Sequence, residues 1–239
     1  MSVPVWCADL AADFWAKAGS PPPFPRDLKP VIPSAVPVSV IELPGVSVAK
    51  VRAWFDRQDI AVPVEEPDRP LRACLVAWLG EGFAFIDATD EPDEQAFSVA
   101  HELAHFLRDY LHPRETVTRR LGAAAIEVLD GRRPPTPEER FQAVLRHAPI
   151  GPFAHLMRRD ETGRPLSAAE REAEFAADRL AFELLAPASA LGELGDRDAL
   201  ERRLVREFGL PAEPAARYAA LLVPEKRTAG SHVSRFFVT

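Results

Sequence analysis

Apolar residues recur along the chain with two different periods. In residues 5–18, VWCADLAADFWAKA, Trp6, Leu10 and Phe14 fall at helical spacing and predict an opening amphipathic helix. The proline-rich stretch that follows, PPPFPRDLKPVIPSAVP, cannot extend it. Helical spacing returns from Ser47 in SVAKVRAWFDRQ. The next segment, DIAVPVEE, reads as a short edge strand, because Pro63 has no N–H to donate to a central ladder. Residues 73–79 (ACLVAWL) and 83–87 (FAFID) then flank Gly80-Glu81-Gly82 and predict a β-hairpin.

The strongest helical pattern covers 93–111, DEQAFSVAHELAHFLRDYL. Ala96, Phe97, Ala100, Leu103, Ala104, Leu107 and Leu111 form one face, while Ser98, His101, Glu102 and His105 form another, left free for chemistry. Pro113 is expected to stop this helix, with His112 in its last turn, where the helix dipole favours a partly cationic imidazole. Residues 114–166 read as an insertion of one or two helices with loops, including a capping box from Thr136 to Glu139. A second capping box, Ser167 to Glu170, opens a long helix to about Leu185, closed by Pro187. Two more helices, about 196–208 and 212–222, flank Gly209-Leu210-Pro211, and the tail SHVSRFFVT reads as a strand or as disordered. The expected class is α+β, mostly helical, with a small antiparallel sheet packed on the 93–111 helix. The expected division is 1–38 (helix and connector), 39–190 (main domain, insertion about 114–166) and 191–239 (helical hairpin and tail).

Composition narrows the function classes. With 47% hydrophobic and 27% charged residues in 239, the chain resembles an ordinary soluble protein able to bury one core. No apolar run approaches the ~20 residues of a membrane span, and the start carries two Asp and no basic cluster, so a cytoplasmic protein is expected. Cys7 and Cys74 form no CxxC pair and read as buried structural thiols. A net charge of −7 works against nucleic-acid binding.

The chemistry lies in His101-Glu102-Leu103-Ala104-His105. On a helix, residues four apart share a face, so both imidazoles reach one ion, and ligands at ~2.0–2.1 Å suit zinc. Glu102 is the carboxylate placed to take a proton from water polarised by the metal. Such a zinc needs a third protein ligand and an open position, and no further His follows at the HExxHxxGxxH spacing. On the 168–186 helix, Glu174 and Asp178 share a face with Ala177 and Ala181, whose small side chains permit close helix approach. Glu172 points about 200° away, and Glu170 is engaged in capping. Glu174 is therefore assigned as third ligand, and Asp178 as the carboxylate that orients an imidazole, His101 in preference. The alternative for both is a pair of surface acids beside Arg171 and Arg179.

FAFIDATDEPDEQAFSVAHELAHFL resembles the ImmA/IrrE family of metallopeptidases, in which a hairpin leads into F-[ST]-x-A-H-E-x-x-H. EFAADRLAFELLAP is similar to that family's E-x-x-A-[DN]-x-F-A-x-x-L-L-x-P helix, with Leu180 in place of Phe. The resemblance spans roughly 40–110 and 170–223. It implies a zincin-like, gluzincin-type domain and again points to Glu174 as a ligand of zinc, with manganese as an alternative. It also implies a narrow-specificity endopeptidase acting on a helix-turn-helix repressor in a stress or mobile-element response. About 68 residues lie between His105 and Glu174, more than the family usually shows, so nothing is implied for 114–166. His147 and His155 within it are candidate transition-state stabilisers, against the commoner reading of structural or exposed histidines. In zincins a substrate strand adds to the sheet edge beside the metal, here expected to be the 73–87 hairpin.

Two rivals stand beside this reading. Residues 199–222 form a helix-turn-helix pattern, but a recognition helix needs basic and amide side chains and this one offers Arg217 alone, which favours a packing role. A protein-binding module that retains a zincin fold without catalysis is the other, against which Glu102 is present.

Overall fold

The computed structural model describes residues 3–62, 64, 66–142, 144–145, 148–158 and 167–224, with the side chains of 157 and 158 excepted. Helix α1 spans Val5–Ala18. The proline-rich connector packs back on the helices rather than trailing away: Arg26 donates to the Leu184 carbonyl at 2.6 Å and lies over the Trp15 and Phe24 rings, and Phe24 meets Phe208. A single helical turn, α2 (Ile32–Ala35), leads into strand β1 (Val38–Leu43). Helix α3 (Val48–Arg57) starts at Ser47, whose hydroxyl accepts from the Lys50 N–H.

The described part of 59–66 is not a strand. Its carbonyl groups turn to Arg52, which donates to Val64 and Glu66 through Nε and Nη2. Strands β2 (Leu71–Trp78) and β3 (Glu81–Asp87) form the hairpin. Leu79 and Gly80 both take positive φ, 52° and 93°, so the turn is a two-residue one tighter than the Gly-Glu-Gly spacing suggests.

Helix α4 (Pro92–His105) continues without a break into a π-helical segment, Phe106–Leu111, and then α5 (His112–Leu121). Pro113 does not stop this helix. The wider π turn shifts the bonding so that the His112 N–H reaches the Leu107 carbonyl, and Pro113, lacking an N–H, falls in the first turn of α5, where none is needed. Short helices α6 (Ile126–Leu129) and α7 (Pro137–Phe141) follow, the latter with its Thr136–Glu139 capping box. The segment also holds a strand that helical periodicity does not reveal, β4 (Phe153–Arg158). Helix α8 (Ala168–Leu185) carries the Ser167–Glu170 capping box, and α9 (Arg197–Phe208) and α10 (Ala212–Leu222) complete the described chain. His147 and the 231–239 tail lie outside the described residues.

The sheet is mixed rather than antiparallel, in the order β1-β3-β2-β4: β1 runs parallel to β3, and the other pairs are antiparallel. β3 can run parallel to β1 because β2, antiparallel to both, carries the chain back, while α3 passes over one face and returns to the end it left, where Ser47 bridges Pro70. One face, with Phe83, Phe85, Cys74 and Val76, packs on Val51 and Phe55 of α3. The other, with Ala73, Leu75, Ala77, Ala84 and Ile86, joins α1, α4, α8, α9 and α10 in one continuous core. No helix among the described residues is long and apolar enough to cross a membrane.

Candidate metal centre

Helices α4 and α8 pack face to face, with Ala100, Ala104, Ala177 and Ala181 all fully buried, so small side chains bring the two backbones close. The polar face of α4 is not open to solvent. Every residue from Phe97 to His105 is buried, because α8 and β4 cover the side left polar by the sequence pattern. His101, Glu102 and His105 are 2%, 0% and 1% exposed.

The structure brings His101, Glu102, His105, Glu174 and Asp178 into one cluster. His101 Nε2 and His105 Nε2 face each other at 3.2 Å. Glu174 lies across from them, 3.3 Å from His101 Nε2 and 3.8 Å from His105 Nε2. Each imidazole is held from behind at Nδ1: His101 by Asp178 Oδ1 at 3.0 Å, His105 by Asp109 Oδ2 at 2.7 Å. Asp109, in the π segment one turn beyond His105, is engaged by Arg108. Its position four residues after His105 is the sequence signal for it.

A fourth donor comes from the 114–166 segment. Phe153 of β4 packs into the helix-side core and meets Tyr110, while Leu156 packs on the α3 side. Strand alternation therefore turns His155 toward α4. Its Nδ1 lies 3.0 Å from Glu102 Oε2, its Nε2 lies 2.6 Å from Glu174 Oε1, and its ring stacks on His105 at 3.6 Å. The signal for it is a short apolar run after Gly151-Pro152 with a histidine inside, which does not distinguish strand from loop. His112, by contrast, is exposed and lines a separate cavity of about 730 Å³ with Trp6, Leu10, Arg108, Phe175 and Arg179.

The electrostatics favour positive charge at the centre. Burial alone would lower the His101 pKa, but hydrogen bonds to Asp178 and Glu174 outweigh it and raise it to about 10. For His155 the burial penalty is likewise outweighed, by Glu102 and Glu174, and its pKa rises to about 9. Glu174 is opposed by its own burial, yet the two imidazoles hold its carboxyl far below the usual range. His105, buried and facing two cationic rings, is driven the other way and stays neutral. One oxygen of the fully buried Glu102, Oε1, has no hydrogen-bond partner.

His101, His105, His155 and Glu174 could together hold a metal ion, their donor atoms lying within 4.8 Å of one another. The donor chemistry fits. Ligands at ~2.0–2.1 Å in a tetrahedron lie roughly 3.3 Å apart, the spacing of His101 Nε2 from its two neighbours. With both Nδ1 atoms donating to carboxylates, the two Nε2 atoms face a single point, and an ion bound there would take the place of the proton that His101 Nε2 otherwise carries. No family model, no curated protein and no solved structure matches this chain. What the fold and the cluster define is an α+β protein with a buried histidine–carboxylate centre able to take a cation.

Proposed function

We propose that the chain is a zinc-dependent endopeptidase in which His101, His105 and Glu174 are the metal ligands and Glu102 carries the proton. The observation that carries this reading is the 3.2 Å approach of two Nε2 atoms whose Nδ1 atoms are both held by carboxylates, opposite Glu174. Zinc there would supply Lewis acidity to the scissile carbonyl and to a water, and manganese is the alternative ion. Glu102 is fixed through Oε2 by His155 and leaves Oε1 unengaged, suited to take the water's proton and return it to the leaving amine. His155 occupies the carboxylate side of the centre, where both its nitrogens are already engaged, and serves to hold Glu102 and Glu174 in place.

The proposed substrate is another protein, a helix-turn-helix repressor of a stress or mobile-element response, on the strength of the family resemblance in the two ligand helices. The strand expected to receive it requires correction. Within the 73–87 hairpin β2 pairs on both sides and β3 pairs with β1, so neither is an edge, whereas β4 is an edge of the sheet among the described residues. A substrate strand adding beside His155 would pair with β4. The DNA-binding alternative finds little support: Arg217, the one basic side chain of α10, is already engaged with Asp178 and Glu213. Action in the cytoplasm belongs to the same proposal.

The test is co-expression of wild type and Glu102→Gln with a helix-turn-helix repressor encoded beside the gene. One discrete cut is expected from the wild type, abolished by a chelator. Glu102→Gln should lose it while retaining one equivalent of metal, with cleavage down by at least ~10³-fold. Cleavage that persists in Glu102→Gln, or that ignores the chelator, overturns the mechanism. A biological effect that survives loss of cleavage favours the protein-binding alternative.

A further inference from the structure

Helix α10 contributes no donor to the centre, yet it touches the group behind one of them. Arg217 Nη2 lies 3.2 Å from Asp178 Oδ2, and the other oxygen of that carboxylate, Oδ1, lies 3.0 Å from His101 Nδ1. Both oxygens of Asp178 are thus engaged, which fixes the rotation of the carboxylate about its terminal bond and with it the plane of the imidazole. Arg217 Nη1 is held in turn by Glu213 at 2.8 Å, one helical turn back, and its Nε is buried without a partner. A buried, unsatisfied Nε is a cost that a free surface arginine would avoid by turning to water. The backbone beneath is anchored by the next residue: Tyr218 lies parallel on Phe182 of α8, ring centroids 4.4 Å apart, and donates to the Ala186 carbonyl at 3.2 Å. Phe182 is one turn beyond Asp178, so α10 grips α8 directly beside the carboxylate.

We infer that Arg217 is a positioning residue of the metal centre, acting through Asp178 to hold His101 Nε2 toward the ion, and that the C-terminal helical hairpin is thereby a wall of the site. The inference rests on the metal reading proposed above. Its chain of action is Arg217 to Asp178 to His101, so removing Arg217 should matter only while Asp178 can answer to it.

The experiment measures zinc affinity of the full chain by competition with a chromophoric chelator, alongside the melting temperature of the metal-stripped protein. Wild type is expected to bind one zinc; failure to do so sinks the metal reading and this inference with it. Asp178→Asn should weaken binding by about 10–100-fold, the usual loss for a partner behind a metal-ligating histidine. Arg217→Met should weaken it by about 3–10-fold, and Arg217→Lys should recover part of that. In the Asp178→Asn background, Arg217→Met should cost nothing further. Wild-type affinity in Arg217→Met overturns the inference while leaving the metal reading intact. So does an undiminished Arg217→Met effect in the Asp178→Asn background, which would mean that α10 supports the fold and not the carboxylate. Should Arg217→Met fail to fold, the same comparison is made with Arg217→Lys, whose affinity loss must likewise vanish when Asp178 is replaced.

Discussion

His155 has both ring nitrogens on carboxylates, Glu102 and Glu174, and its ring lies flat on His105. Two roles are open to such a group: a fourth ligand that would close the coordination shell, or a brace that leaves a position open for water. Replacement separates them. His155→Ala is expected to keep its equivalent of zinc at micromolar metal and to lose cleavage by about 10²-fold, since Glu102 would be left free to rotate. Glu174→Ala is expected to release the metal. Equal release by both variants, read by chelator competition, would make His155 a ligand. The remaining members sit on two helices, where spacing of four residues puts His101 with His105 and Glu174 with Asp178 on one face each, and the alanine faces of α4 and α8 bring the two pairs together. His155 arrives on a strand from a segment whose course depends on pairing with β2, a contact no local pattern encodes.

Elements with local signals are legible in the amino-acid order. Helix α8 has its capping box, α3 its serine cap, and the hairpin its turn residues, because each is decided by neighbours a few positions away. The π segment and the parallel β1–β3 pairing are decided elsewhere. Pro113 reads as a terminator only if the turn before it is α-helical; a π turn removes the conflict. That segment is seated against β3 with little tolerance. A Cβ at Gly82 would lie 2.7 and 2.8 Å from the Phe106 ring and 3.0 Å from Val38 Cγ2. Phe106 is fully buried and follows His105, so displacing its ring presses on the helix that carries His101 and His105. Gly82→Ala is accordingly expected to destabilise the fold by about 1–3 kcal/mol in urea unfolding. A neutral effect would show that Phe106 has room to shift.

The described part of the 114–166 segment is built into the body of the protein and has a small core of its own, Val117, Ala125, Val128, Leu129 and Leu145. It is fastened by Arg114, which pairs with Asp130 at 2.6 Å, both side chains under a tenth exposed, and lies over the Tyr110 ring. Tyr110 in turn accepts from the Gly80 N–H at the hairpin turn. Asp130→Ala would strand the buried guanidinium and is expected to lower stability by about 3–5 kcal/mol, measured by urea denaturation. A loss under 1 kcal/mol would mean that Arg114 finds water or another acceptor. The same segment supplies β4, through Gly151, whose N–H reaches the Leu129 carbonyl. A strand alternates its side chains between two faces, so a polypeptide zipped onto β4 can slide only in jumps of two residues, about 6.8 Å, without turning inside out. Scissile bonds chosen on such a track would share a parity. Where a target were nicked at secondary positions, those nicks would stand an even number of residues from the main one.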